Sequence, residues 1–193
     1  MLSTKLSKYN VILASNSPRR QELIKSLDIP FSIKTKDIEE RYPKELKHSQ
    51  ITDYLAALKA SPFSTELKEN DLLITSDTIV WLNNKALGKP KNYNEAFNML
   101  KELSGTTHEV ITSICLTSKT FQYIINDITI VTFKELLDEE INYYIKTYKP
   151  FDKAGAYGIQ EWIGKIGITK IEGSYFNVMG FPVHKLYKEL SKL

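Results

Sequence analysis

The run Leu72-Leu73-Ile74-Thr75-Ser76-Asp77-Thr78-Ile79-Val80 constrains the fold more than any other segment of the chain. Apart from small polar residues and one acid it is apolar, and much of it is β-branched. That pattern reads as an interior strand, because a strand with one wet face would alternate. The carboxylate of Asp77 is the anomaly within it. A charge enters an interior only when it is paired, hydrogen-bonded or bound to a cation. Near a strand end, Asp77 can border a cleft or cap a neighbouring loop.

Helical and strand periods intermix around this run. Val11-Ile12-Leu13-Ala14 is a short apolar strand. Ser17 and Pro18 then supply an N-cap and a first-turn proline for a helix carrying Leu23, Ile24 and Leu27. Phe31-Ser32-Ile33 alternates as a strand should, and Ile51, Tyr54, Leu55 and Leu58 recur at helical spacing towards Lys59, predicting a helix that ends near Pro62. Asn92 and Glu95 have the cap-and-N3 spacing of a helix start, with an apolar face of Ala96, Met99, Leu100 and Leu103 and a stop at Gly105. Two β-rich runs from Val110 to Phe133 flank Ser118-Lys119-Thr120 and predict a hairpin with long strands. Asp138 is expected to cap a helix bearing Ile141, Tyr144 and Ile145, and a last helix places Leu186 and Leu190 on one side. The fold class is therefore α/β with a mixed sheet, and 193 residues suit a single domain over 1–193.

Composition removes several function classes. With 26 Lys and Arg interleaved among 23 Asp and Glu, the chain lacks the massed positive charge of a nucleic-acid-coating protein. The single Cys115 cannot form an internal disulfide, and within Ile114-Cys115-Leu116 it reads as core filler in a reducing compartment. No stretch approaches the roughly 20 apolar residues of a membrane helix, and the first residues lack a signal peptide's apolar segment, so a cytoplasmic location is expected.

All eight glycines lie at or beyond Gly88, so the loop after the first strand is not a glycine-rich phosphate cradle of the Walker or dinucleotide type. That loop offers Ser15-Asn16-Ser17-Pro18-Arg19-Arg20 instead. Two arginines in the first turn of a helix oppose its dipole, and a bound anion would offset the conflict. Polyphosphate could take backbone N–H groups, the hydroxyls of Ser15 and Ser17, and forked guanidinium bonds. The same residues also read as an ordinary capped helix with solvated arginines. Glu39-Glu40, Lys59 and Lys89, each taken alone, look like surface charge. His48, His108 and His184 are isolated, with neither the spacing of a zinc pair nor that of a nucleophile relay. What remains is a set of acids and bases suited to a hard cation such as Mg²⁺, held by one or two carboxylates together with substrate phosphates.

Taken in order, Ser15-Asn16-Ser17-Pro18-Arg19-Arg20, Leu58-Lys59-Ala60, Ser76-Asp77-Thr78, Gly88-Lys89-Pro90, Lys153-Ala154-Gly155-Ala156-Tyr157-Gly158-Ile159-Gln160 and Glu172-Gly173-Ser174-Tyr175 resemble the Maf family of nucleotide pyrophosphatases along almost the whole chain. The resemblance implies hydrolysis between the α and β phosphates of a nucleoside triphosphate, as house-cleaning, with a divalent cation (Mg²⁺, Mn²⁺ or Co²⁺). It implies a fold like the inosine triphosphate pyrophosphatases, an elongated mixed sheet with flanking helices in two lobes around a cleft, commonly dimeric. Arg19, Arg20, Thr78 and Gln160 look like the branch acting on dTTP and UTP, with modified pyrimidine nucleotides as further candidates. On this resemblance Asp77 and Glu40, aligned in preference to Glu39, hold the cation and activate water. Lys59, Lys89 and Arg20 neutralise developing charge, Ser15, Ser17 and Arg19 join in gripping phosphate, and Thr78 and Gln160 read the base. Ser76, Phe181 and the pair Glu161-Trp162 depart from the family pattern, and on the resemblance Trp162 is expected to narrow or cover the base pocket. Two alternatives share the resemblance: a nucleotide-binding regulator of septum formation, against which the retained Asp77, Lys59 and Lys89 argue, and an ITP/XTP-type pyrophosphatase, against which Thr78 and Gln160 argue.

Overall fold

A computed structural model describes residues 1–193. In chain order its elements are α1 (Leu2–Lys5), β1 (Asn10–Leu13), α2 (Pro18–Lys25), β2 (Ser32–Ile33), α3 (Ser49–Ala60), β3 (Asp71–Leu82), β4 (Lys85–Leu87), α4 (Tyr93–Leu103), β5 (Thr107–Thr117), β6 (Gln122–Phe133), α5 (Asp138–Tyr148), α6 (Trp162–Gly167), β7 (Ile168–Glu172), α7 (Tyr175–Val178) and α8 (Val183–Leu190). The strands form one seven-stranded sheet in the order β2-β1-β3-β5-β6-β7, with β4 added to β3. β1 lies parallel to β2 and β3, whereas β4 on β3 and β7 on β6 are antiparallel, so the sheet is mixed as expected. No helix is long and apolar enough to cross a membrane.

The chain divides into two compact units, the first made of Met1–Asp77, Thr112–Asp127 and Gly180–Leu193, the second of Thr78–Ile111 and Ile128–Met179. In the first unit, Ile12 and Leu73 from the sheet pack with Ala56, Ala60 and Phe63 around α3, and Cys115 belongs to this cluster as a buried free thiol. Small alanines let α3 lie close to the sheet, and Thr75 Oγ1 donates to the Ala56 carbonyl at 2.6 Å. A polar bridge fixes the other end of α3. Ser113 Oγ meets Thr52 Oγ1 and Asp53 Oδ1, each at 2.6 Å, and Asn126 Nδ2 donates to Asp53 at 3.1 Å. Buried hydroxyls and amides satisfied in this way lock one register of a helix against a sheet.

The second unit is built on Val80, Leu100, Phe133, Ile141, Tyr144 and Ile163 with their neighbours. Asn83 and Asn84, at φ 50° and 60°, form the two-residue connection between β3 and β4. Asparagine tolerates the left-handed region that such a hairpin turn demands. α4 begins as its sequence indicates, with Asn92 Oδ1 accepting from the Glu95 N–H at 3.0 Å, and it ends at Leu103 before Gly105 at φ 68°. The expectation at α5 needs correcting: Asp138 is the first helical residue and Leu137 stands at the N-cap. Glu140 reaches back to accept from the Leu137 N–H at 3.0 Å, while Asp138 pairs with Lys101 at 2.7 Å. The first-turn acids satisfy the helix start from inside, so no side-chain cap is needed. The block Glu172-Gly173-Ser174-Tyr175 is structural here. Ser174 Oγ caps α7 by accepting from the Asn177 N–H, and a side chain on Gly173 would meet Thr129 Oγ1 at 2.8 Å.

Candidate active site

In the first unit the sequence blocks converge on Asp77, only 5% exposed at the point where β3 leaves that unit. Strand alternation puts Asp77 on the same face as Thr75, the face covered by α3. Lys59 stands in the last turn of α3 and its Nζ reaches Asp77 Oδ1 at 2.5 Å. The same ammonium lies 3.2 Å from Glu40 Oε1, so one cation spans two carboxylates. Glu39 instead pairs with Arg41 at 2.6 Å, both exposed, which leaves Glu40 as the acid of this cluster.

Arg20 joins from α2. Its Nε donates to the Gly180 carbonyl at 2.9 Å and one terminal nitrogen to the Ser76 carbonyl at 2.8 Å, beside Asp77. The turn before α2 is fixed by its own serines: Ser15 Oγ accepts from the Ser17 N–H at 3.2 Å and Ser17 Oγ from the Arg20 N–H at 3.5 Å. Each hydroxyl is thereby held in place by its oxygen, and its O–H can still donate to an anion. Arg19 follows Pro18 in the first turn, half-buried.

Burial pushes the Asp77 carboxyl above its ordinary value, against the pull of Lys59 and Arg20, while Glu40 adds to the rise. The sequence suggested a position near a strand end, but β3 continues to Leu82, so Asp77 sits mid-strand and its shift comes from burial there. Burial lowers the Arg20 guanidinium, with Asp77 opposing. A carboxylate so placed is a better proton acceptor than a solvated aspartate.

Thr78, Lys89 and Gln160 belong to the second unit. Thr78 is the next residue of β3 and half-buried, and Lys89 is exposed. Two blocks are tied together here, since the Gly155 N–H donates to the Gly88 carbonyl at 3.1 Å. Gly155, at φ 66°, also packs so tightly on Val80 that a β-carbon would lie 2.8 Å from its Cγ2. The loop following Gly155 ends in a turn closed by the Glu161 N–H on the Gly158 carbonyl at 3.0 Å, with Gln160 inside it. Gln160 Oε1 is buried with no hydrogen-bond partner, an acceptor waiting for a donor.

Sequence reasoning missed the residues that hold this turn. Lys153, 8% exposed, pairs with Asp152 at 2.7 Å and with Glu161 at 3.1 Å, and Tyr144 donates to Glu161. Trp162, expected on the resemblance to narrow or cover a base pocket, has its ring 4.8 Å from that of Tyr143 on α5. The available signal was Glu161-Trp162 itself, a departure from the family pattern.

No group of three or more His, Cys, Asp or Glu residues is arranged to hold a metal ion. Asp77 and Glu40 are the hard oxygen donors that share one cationic neighbour. Two carboxylates fit a cation of the Mg²⁺ kind, which takes one or two from the protein and completes its shell with phosphate and water.

Comparison with known proteins identifies the family. The family model described as Maf-like protein matches residues 10–193. A Flavobacterium johnsoniae protein named dTTP/UTP pyrophosphatase is 61% identical over 193 residues, covering 100% of both chains. Proteins of that name from Flavobacterium psychrophilum, at 61% over 97% of this chain and 96% of its own, and from Bacteroides thetaiotaomicron, at 48% over 97% and 98%, are also similar. Among solved structures, the Staphylococcus aureus Ham1 protein matches with a TM-score of 0.53 at 14% identity, covering 93% of this chain and 98% of its own. A HAM1 protein from Coxiella burnetii matches at 0.51 and 17%, covering 96% and 100%. At such identities these two structures bear on the fold alone.

Proposed function

The chain belongs to the Maf-like protein family, and from that premise we propose that it hydrolyses dTTP and UTP to the monophosphate and pyrophosphate, removing unwanted pyrimidine nucleotides, modified ones included. The observation that carries the reading is the buried Asp77 carboxylate held by the Lys59 ammonium at 2.5 Å, with Glu40 and Arg20 beside it. A pyrophosphatase needs what this cluster has: a carboxylate to orient a water and take its proton, and fixed positive charge for the phosphoryl oxygens.

Asp77 receives the proton of the attacking water at its carboxylate. Lys59 keeps that carboxylate oriented and, with Arg20, stabilises the charge that builds on the phosphate oxygens. The hydroxyls of Ser15 and Ser17 and the Arg19 guanidinium take the polyphosphate, and Lys89 adds positive charge to the same task. Asp77 and Glu40 would hold a divalent cation, which would supply charge neutralisation and Lewis acidity to the reaction. Gln160 Oε1 accepts from the imino N–H of uracil or thymine, and its amide N–H₂ donates to a ring carbonyl, with Thr78 assisting. A site built this way rejects a base that presents an acceptor where the imino proton belongs. The same reading takes the protein as cytoplasmic and homodimeric.

The test is pyrophosphate release over a panel of natural and modified triphosphates with Mg²⁺, Mn²⁺ or Co²⁺, comparing wild type with Asp77→Asn. Wild type is expected to prefer dTTP and UTP, and Asp77→Asn to lose about 10³-fold in kcat. Equal activity of the two proteins would sink the mechanism. Binding without turnover would favour a regulator, and preference for ITP or XTP would overturn the base assignment.

A further inference from the structure

A closed ring of hydrogen bonds surrounds the turn that carries Gln160. The Tyr144 hydroxyl, on α5, accepts from the Gly158 N–H at 3.0 Å and donates to Glu161 Oε2, while the Glu161 N–H donates to the Gly158 carbonyl at 3.0 Å. One helix hydroxyl therefore ties both ends of a four-residue turn whose third residue is Gln160. Lys153 Nζ, 3.1 Å from Glu161 Oε1, balances the carboxylate from the other side. The side chains of this tie crowd Gly158: a β-carbon there would lie 2.9 Å from Glu161 Cδ and 3.1 Å from Lys153 Cε. Gly164 on α6 seats directly on the Ile159 carbonyl, where a β-carbon would come within 2.0 Å of the oxygen. Burial, and then the Glu161 carboxylate, push the Tyr144 hydroxyl upward, so it stays protonated and keeps donating.

A turn tied only for stability could be closed by its own backbone bond. This one spends a buried tyrosine, a glutamate and a lysine on the residues flanking a glutamine whose Oε1 is buried and unpartnered. An amide reads a base edge only if its plane is fixed, because a freely turning amide presents donor and acceptor interchangeably.

We propose that Tyr144 and Glu161 are positioning residues for nucleobase selection, closing the turn so that the Gln160 amide is presented in one orientation. This rests on the assignment of Gln160 to the base. Glu161 acts through the turn and touches neither phosphate nor base. Because the water-activating Asp77 and its partners Lys59, Glu40 and Arg20 belong to the first unit, loss of the tie weakens recognition of the base and spares the chemical step.

The test uses Tyr144→Phe, Glu161→Ala and Glu161→Gln in the full chain. Tyr144→Phe and Glu161→Ala are expected to raise KM for dTTP and UTP about tenfold, with kcat held within about twofold. Inhibition by inorganic tripolyphosphate should not change. Glu161→Gln keeps an acceptor for the Tyr144 hydroxyl and should recover to within about threefold of wild type. Amide exchange at Gly158 should quicken about tenfold in Tyr144→Phe. Variants that lose thermal stability while KM and base preference stay at wild-type values would overturn the proposal, as would an unchanged Gly158 exchange rate. A wild type with another base preference would fail the Gln160 assignment to uracil and thymine, yet the KM shift with its own best nucleotide still decides the tie. A wild type that turned over no nucleotide would fail the proposed function, and Gly158 exchange would decide the tie by itself.

Discussion

The two units hold their buried charge in different ways. In the first, Lys59 pairs directly with Asp77 and Glu40, and Arg20 is fixed beside them on the Ser76 carbonyl. In the second, Glu161 is spread between an ammonium and a phenol, and the neighbouring His108 is neutral, sharing a 2.8 Å hydrogen bond with Tyr157 while stacked on Phe133. An ionic cluster is costly to bury and is retained where a highly charged substrate will enter it. A hydrogen-bonded turn costs less and fixes direction, which is what reading a neutral base demands.

The comparison breaks most sharply at Lys59. Lys59→Met removes the charge that compensates Asp77, which should cost roughly 3 kcal/mol of stability at pH 8 and at least about 100-fold in activity. Because burial already pushes Asp77 up, the variant should regain stability as pH falls and Asp77 takes a proton. Urea denaturation at several pH values reads this; a variant as stable as wild type at pH 8 would mean that the cluster is solvated.

A stability effect of comparable size but different origin, without the loss of activity, is expected at His108, 2% exposed, which burial lowers to about 4. The unfolded chain takes up a proton near pH 6.5 and the folded one only near 4, so the contribution is complete above the unfolded value. It is lost as pH falls between the two, about 3 kcal/mol in all. His108→Phe should flatten the stability profile between pH 6.5 and 4 in urea denaturation, whatever else the removal of the Tyr157 bond costs. An unchanged slope would show that His108 titrates normally.

The smallest effect sharpens the contrast within function. Gln160→Ala should reduce the preference for dTTP and UTP over other triphosphates about tenfold in kcat/KM, with little change in tripolyphosphate inhibition. A uniform fall across all nucleotides would move Gln160 from base recognition to the chemical step.

Much of this was legible in the chain. The run from Leu72 to Val80 is long, apolar and β-branched, and it became the strand that pairs with β1, β4 and β5. Capping at Ser17 and Asn92 was equally readable, because a cap is a contact between residues three apart. Weaker local signals were missed: β4 has three residues and β7 five, too short for a period to stand out, although Asn83-Asn84 was a turn signal. Asp138 looked like a cap because its side chain can serve as one, yet the pairing with Lys101 from α4 claimed it.

By itself the sequence determined the alternation of helix and strand, the anomaly of a carboxylate in an apolar strand, and the ordered blocks that carry the family resemblance. Those follow from spacing along one chain. Only the tertiary structure decided which charges meet. Glu40 and Lys59 are 19 positions apart, and Lys59 and Asp77 18, so no local rule pairs them or separates Glu40 from Glu39. Likewise Tyr144 and Glu161 meet although 17 positions apart, in a turn on whose Ile159 carbonyl Gly164 packs too closely for any β-carbon. Long-range pairing depends on where the core places each element's end, and that is set by packing the whole sheet rather than by any window of sequence.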